Sequence, residues 1–151
     1  MKRKLLSLLL MASWLTGASA CSFPFGQDKV SVSFTEEVKM ATVELATEDM
    51  VAIRVLEVES DNTLLNLMVQ LKSEDAIDFT LDNGMVTSVN GKENPKDWSY
   101  CWMLYTSDDE MSNTEWGELE YNGEKLGSAV VGADFLPAVE GEVYVWYYQA
   151  F

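Results

Sequence analysis

Any chemistry this chain performs has to be built without histidine, since the 151 residues contain none. That removes the commonest general base near neutral pH and the commonest metal ligand together. A Ser-His-Asp or Cys-His nucleophile is excluded, so Cys101 has no imidazole to activate it. Set in "WSYCWMLY" between Tyr100 and Trp102, Cys101 reads as the core of a strand, a small hydrophobe rather than a nucleophile. Carboxylates are plentiful, 25 Asp and Glu in all. Two of them could hydrolyse a glycoside by acid/base catalysis, but no spacing singles out a pair. The densest run, Asp108-Asp109-Glu110, is a candidate for a loose calcium contact and otherwise a solvated loop. It is not an EF-hand. Counting from Asp109 puts Glu120 at the twelfth position, yet Met111 stands third and Thr114 sixth, where the pattern needs an oxygen ligand and a glycine. "NGEKLGSAVVG" is not a phosphate loop, because its lysine is not followed by Ser or Thr at the required spacing.

What remains for recognition is aromatic. Trp98, Trp102 and Trp146 lie in or beside predicted strands, where core packing is the default. Trp116 falls in the polar run "TSDDEMSNTEWG", where an indole is either a clamp on its own loop or a contact for something else. Trp98, Trp116 and Tyr121, each beside a loop or turn, are the candidate ligand contacts. No cofactor is expected.

The chain opens on a segment that does not belong to this chemistry. Lys2, Arg3 and Lys4 precede the apolar stretch Leu5 to Leu15, too short for a lasting membrane span, which ends in "TGASAC". Residues 1–20 read as a bacterial export signal. Ala18-Ser19-Ala20 fits ordinary signal peptidase, which would release a soluble protein. The same segment resembles the lipobox of bacterial lipoproteins, in which Cys21 would be acylated and become the new N-terminus. It departs from that pattern at Ala18, where leucine is usual. Lipidation of Cys21 would anchor the protein to the outer face of the membrane; the alternative is secretion, with a Cys21–Cys101 disulfide then open to the chain. Loss of Lys2, Arg3 and Lys4 leaves 7 basic against 25 acidic residues, a net −18. So acidic a body repels phosphate backbones and anionic headgroups, so nucleic acid is not a partner and the membrane is reached only through the anchor.

The elements that must position these side chains follow from periodicity. Residues 21–29 form a tether with Pro24 and Gly26, and residues 30–151 form one domain. Val30, Val32 and Phe34 alternate as a strand; Val38 to Leu45 and Met50 to Val58 read as two more. Leu64, Leu67, Met68 and Leu71 sit at helical spacing, with Ser60, Asp61 or Asn62 as cap and Lys72 in the last turn. Asp78 to Leu81, Met85 to Val89, Trp98 to Tyr105 and the segment after Gly141 read as strands. Asn83-Gly84, Asn90-Gly91 and Asn122-Gly123 mark the turns. Thr106 to Gly117 reads as an exposed loop. Together these predict an α+β, β-grasp-like domain, one main helix packed on a mixed or antiparallel sheet.

Four segments in order, "SDNTLLNLMVQL", "GMVTSVNGKEN", "WSYCWMLY" and "EGEVYVWYY", resemble a bacterial family of surface domains of unknown function related to the C-terminal β-domain of transcobalamin. The resemblance spans roughly residues 61–148. It implies a β-grasp-like, exported, often membrane- or wall-attached domain with no catalytic residues. In the transcobalamin relatives such a domain covers one face of a corrinoid, with a helical domain, absent here, supplying the other half. The chain also departs from the family by its acidic insertion Ser107 to Glu118. The expectation is a non-catalytic binding module of the cell surface whose partner is a small molecule, corrinoid included, or a surface protein. The alternative is a carboxylate-dependent hydrolase of envelope or host glycans.

Overall fold

The structure is a computed structural model and describes residues 39–59 and 61–151. The export signal, Cys21, the tether, the strand expected over Val30 to Phe34, Val38 and the helix-cap candidate Ser60 lie outside the described residues. Nine strands and one helix follow in chain order: β1 (Ala41–Ala46), β2 (Met50–Val55), α1 (Leu64–Ser73), β3 (Phe79–Asp82), β4 (Met85–Val89), β5 (Lys92–Glu93), β6 (Tyr100–Thr106), β7 (Ser112–Tyr121), β8 (Glu124–Ala129) and β9 (Val143–Ala150). They build a six-stranded sheet in the order β1-β2-β9-β6-β8-β7 and a three-stranded sheet, β3-β4-β5. Every pairing is antiparallel.

The α+β, β-grasp-like expectation is overturned. Strands take 50% of the structure and helix 9%, and the single ten-residue helix is a minor part of a mostly β molecule. The segment that misled most is Thr106 to Gly117, expected as a loop. Its second half belongs to β7, a ten-residue edge strand of which only Tyr121 is buried. An edge strand facing solvent need not carry the apolar alternation by which strands are recognised.

The turns behave as their residues dictate. Asn83-Gly84, Asn90-Gly91 and Asn122-Gly123 all place both residues at positive φ, between 48° and 83°, the geometry that joins β3 to β4, β4 to β5 and β7 to β8 by two-residue hairpins. The helix starts one residue later than expected. Thr63 is the cap: its hydroxyl accepts from the Asn66 N–H, and the Asn66 side chain accepts from the Thr63 N–H at 2.9 Å. The next free donors, Leu64 N and Leu65 N, give to the carbonyls of Leu136 and Ala133, both at 2.9 Å. The helix N-terminus therefore fixes the 132–138 loop.

Both faces of the large sheet are buried. On one face Val51, Ile53, Val55, Trp102, Leu104, Tyr144 and Trp146 pack under Leu64, Leu67, Met68 and Leu71 of α1, Phe79, Val86 and Val89 of the small sheet, and Ala133 and Leu136 of the loop. On the other face Ala52, Tyr105, Val143 and Val145 pack with Tyr121 and Leu126 of the β7–β8 hairpin. That second core exists because the sheet curls. β8 pairs with β6 through only two residue pairs, and β7 bulges between Asn113 and Glu118. Gly127 lets the bulged strand close in, since a Cβ there would meet Ser112 Cβ at 2.9 Å. Side chains from far-apart strands then meet across the curl. Arg54 of β2 pairs with Glu44 of β1 and, at 3.4 Å, with Glu124 of β8, and donates to Gly141 O at 2.9 Å. Tyr121 of β7 donates to Glu44 at 3.3 Å.

Tyr144 ties the first core to its roof. It is fully buried, its hydroxyl donating to Pro137 O at 2.8 Å and accepting from Val139 N at 3.0 Å. Burial pushes its pKa from 10.0 up to about 12. The folded state therefore holds the phenolic proton more tightly than the unfolded chain. Its contribution is fully present below the unfolded value of 10.0 and is lost as pH rises toward about 12. Tyr144→Phe should lower stability by about 1–3 kcal/mol at neutral pH, since it orphans a buried donor and acceptor. It should also flatten the decline above pH 10. Urea unfolding at pH 7 and across pH 9 to 12 checks both.

Candidate functional site

The feature that sets this molecule apart is an open cavity of 440 Å³ on the first face of the large sheet. Its floor is β6 and β9, contributing Cys101, Trp102, Met103, Leu104 and Trp146; its other walls are Gly84, Met85 and Val86 of the β3–β4 hairpin and Gly132 and Ala133 of the loop. Trp98, Asn94 and Phe151 complete the lining. No lining side chain carries a charge.

The polar groups of the lining are occupied by the frame. Trp102 Nε1 donates to Lys92 O at 2.8 Å and Trp146 Nε1 to Met68 Sδ at 3.4 Å. The Asn94 side chain accepts from Trp102 N at 3.0 Å and donates to Val86 O at 3.4 Å. Asn94 thus joins the small sheet to the large one across the cavity wall. The cavity therefore offers shape and apolar surface, with few polar groups left free.

Trp98 is held in an unusual way. Its φ is 56°, a left-handed conformation that costs a bulky residue on the order of 1–2 kcal/mol. The turn that holds it is closed by Trp98 N donating to Pro95 O at 3.0 Å and by Ser99 N and Oγ donating to Asp97 at 3.1 and 2.8 Å. Those two bonds hold the Asp97 carboxyl below its ordinary value. The indole is 47% exposed yet lines the cavity. Met85 and Phe151 share the position, exposed on one side and lining the cavity on the other.

Of the residues named from the sequence, the cavity takes one. Trp98 lines it. Trp116, 65% exposed on edge strand β7, does not. Tyr121 is buried in the second core and bonded to Glu44, so it serves the curl of the sheet. Asp108, Asp109 and Glu110 lie on the turn into β7, where Asp108 accepts from Glu110 N at 2.9 Å. Among the described residues no three Asp, Glu or Cys side chains converge to hold a metal ion. Cys101 is buried, its thiol 3.4 Å from Met103 Sδ, and burial raises its pKa, away from the reactive thiolate.

Apart from Trp98, no residue of the lining was named from the sequence as a ligand contact. Trp102 and Trp146 had been assigned to core, which they also are. Only the aromatic density of "WSYCWMLY" and "EVYVWYY" pointed at this face. Above the cavity floor a second aromatic group forms. Tyr148 stacks on Tyr100 at 5.6 Å between ring centres and tilts against Trp102 at 5.3 Å. Lys92 stands 4.3 Å over the Tyr148 ring and is paired with Asp49, which raises its pKa. No helix among the described residues is long and apolar enough to cross a membrane. No family model, curated protein or solved structure matches the chain.

The Asn94 bridge gives this wall a test. Asn94→Ala leaves the Trp102 N–H without its acceptor and should cost about 1–3 kcal/mol. Hydrogen exchange should show lost protection at the Trp102 amide, while that of Ile53, on the far side of β9, keeps its native rate relative to global unfolding.

Proposed function

We propose that the chain is an exported, lipid-anchored, non-catalytic binding module of the bacterial cell surface, taking a small apolar molecule into the cavity between β6, β9 and the β3–β4 hairpin. The observation that carries the binding part is a 440 Å³ apolar space, walled by three tryptophans, whose rim indole is kept in a strained conformation. A monomer gains nothing in stability from such an opening; filling it would bury more apolar surface. A ligand restores that contact. Absence of histidine supports the non-catalytic part, and the basic and apolar leader before Cys21 supports export and anchoring. A corrinoid, the ligand class that the resemblance to transcobalamin-related domains implies, belongs among the compounds to be tried.

A neutral naphthylamine dye whose emission rises in apolar surroundings is a suitable first probe. Trp98→Gly should weaken its binding about tenfold, the value of one lost aromatic face. The same variant should stay within about 1 kcal/mol of the native stability, because glycine relieves the positive-φ strain. Trp116→Ala should change neither quantity. Equal dye affinity in the native chain and Trp98→Gly would remove the cavity from the account.

A further inference from the structure

Resting on that reading, the charges around the cavity narrow its ligand to one class. The lining itself is neutral, but Asp134 stands at its edge. A Cβ built on Gly84 would lie 3.2 Å from one Asp134 carboxylate oxygen, and one built on Gly132 would lie 2.8 Å from the other. Both glycines line the cavity. Each lacks the Cβ that would crowd the carboxylate, so Asp134 rests directly against two residues of the lining. Asp134 is half-buried and makes no side-chain hydrogen bond or ion pair with any described residue.

The cations of the region are placed elsewhere. Lys92 is held by Asp49 and Glu48 and stacked on Tyr148. Lys96, on the turn before Trp98, is exposed and does not line the cavity. Trp98, Trp102 and Trp146 line the cavity, and the face of an aromatic ring attracts a cation and repels an anion. Over longer range the chain's net charge of −15 adds the same preference.

We infer that the cavity takes an organic cation: a hydrophobic amine or quaternary ammonium whose apolar part packs among the tryptophans while its positive charge faces Asp134. A neutral compound of the same shape keeps the packing and loses the charge terms. An anion of the same size loses the packing as well, since it must bring its charge against Asp134.

Three benzyl compounds separate these cases: benzyltrimethylammonium, its uncharged isostere neopentylbenzene, and phenylacetate, each titrated by displacement of the naphthylamine dye. The cation should bind about tenfold tighter than the isostere at low salt, and phenylacetate should bind weakest. Added salt should narrow the gap, because half-exposed charges are screened. Asp134→Asn should narrow the gap between the cation and the isostere to what the indoles alone supply, while leaving the isostere unchanged, which also shows that the variant is folded. An isostere that binds as tightly as the cation, or a preference that Asp134→Asn leaves undiminished, overturns the inference and leaves the apolar cavity standing. Failure of the dye and all three compounds to bind overturns both.

Discussion

The molecule depends on the pairing of β6 with β9. Seven consecutive residue pairs, from Tyr100 opposite Ala150 to Thr106 opposite Tyr144, set a register that sends Trp102, Leu104, Tyr144 and Trp146 to one face. The same register sends Tyr105, Val143 and Val145 to the other. Because side chains alternate along a strand, a slip of one residue would exchange the two sets. Such a slip would put indoles where the curl of the sheet leaves room only for smaller groups. Every other element is placed by what these two strands present. The β7–β8 hairpin closes over the second face, and α1, the small sheet and the 132–138 loop roof the first.

The cavity follows from how that roof is made. Opposite Trp102 and Trp146 stand Gly84, Gly132 and Ala133, the smallest residues available, with Met85 flexible at the edge. A roof of leucines would have sealed the face at interior density. Here the hairpin turn needs Gly84 for its positive φ of 82°, and the 132–138 loop is held by helix hydrogen bonds rather than by bulk. Backbone requirements of a turn and a cap therefore leave the floor uncovered. The charged network of Arg54, Glu44, Glu124 and Tyr121 belongs to the opposite face, so one side of the sheet is closed by charge and the other carries the cavity.

Much of the local structure was legible in the residues. All three Asn-Gly pairs are hairpin turns, Met85 to Val89 is a strand with the expected ends, and the apolar stripe Leu64, Leu67, Met68, Leu71 is the buried side of the helix. The fold class was not legible, for two reasons. Ser112 to Tyr121 faces solvent along most of its length, so β7 gave no periodic signal. A ten-residue helix also looks dominant in a sequence where strands are short and irregular, although nine strands outweigh it. At the cavity, the aromatic segments supply the floor strands, and Trp98, one of the three residues named from the sequence, lines it. Trp116 and Tyr121 were equally conspicuous as residues, but no sequence pattern distinguishes an indole on an outer edge strand from one beside a cavity. The wall residues Gly132, Ala133 and Phe151 come together with Gly84 only through tertiary structure. Asp134 is one of many acids until the two glycines beside it are placed.

The central claim, that the apolar cavity on the β6–β9 face receives the ligand, is tested most directly by fluorine NMR. In the chain labelled with 5-fluorotryptophan, each indole is a separate reporter, and Trp98, Trp102 and Trp146 line the cavity while Trp116 lies apart from it. Saturation with an aromatic ligand should shift the resonances of Trp98, Trp102 and Trp146 and leave that of Trp116 in place. A shift confined to Trp116, with the three cavity indoles unmoved, would contradict the account.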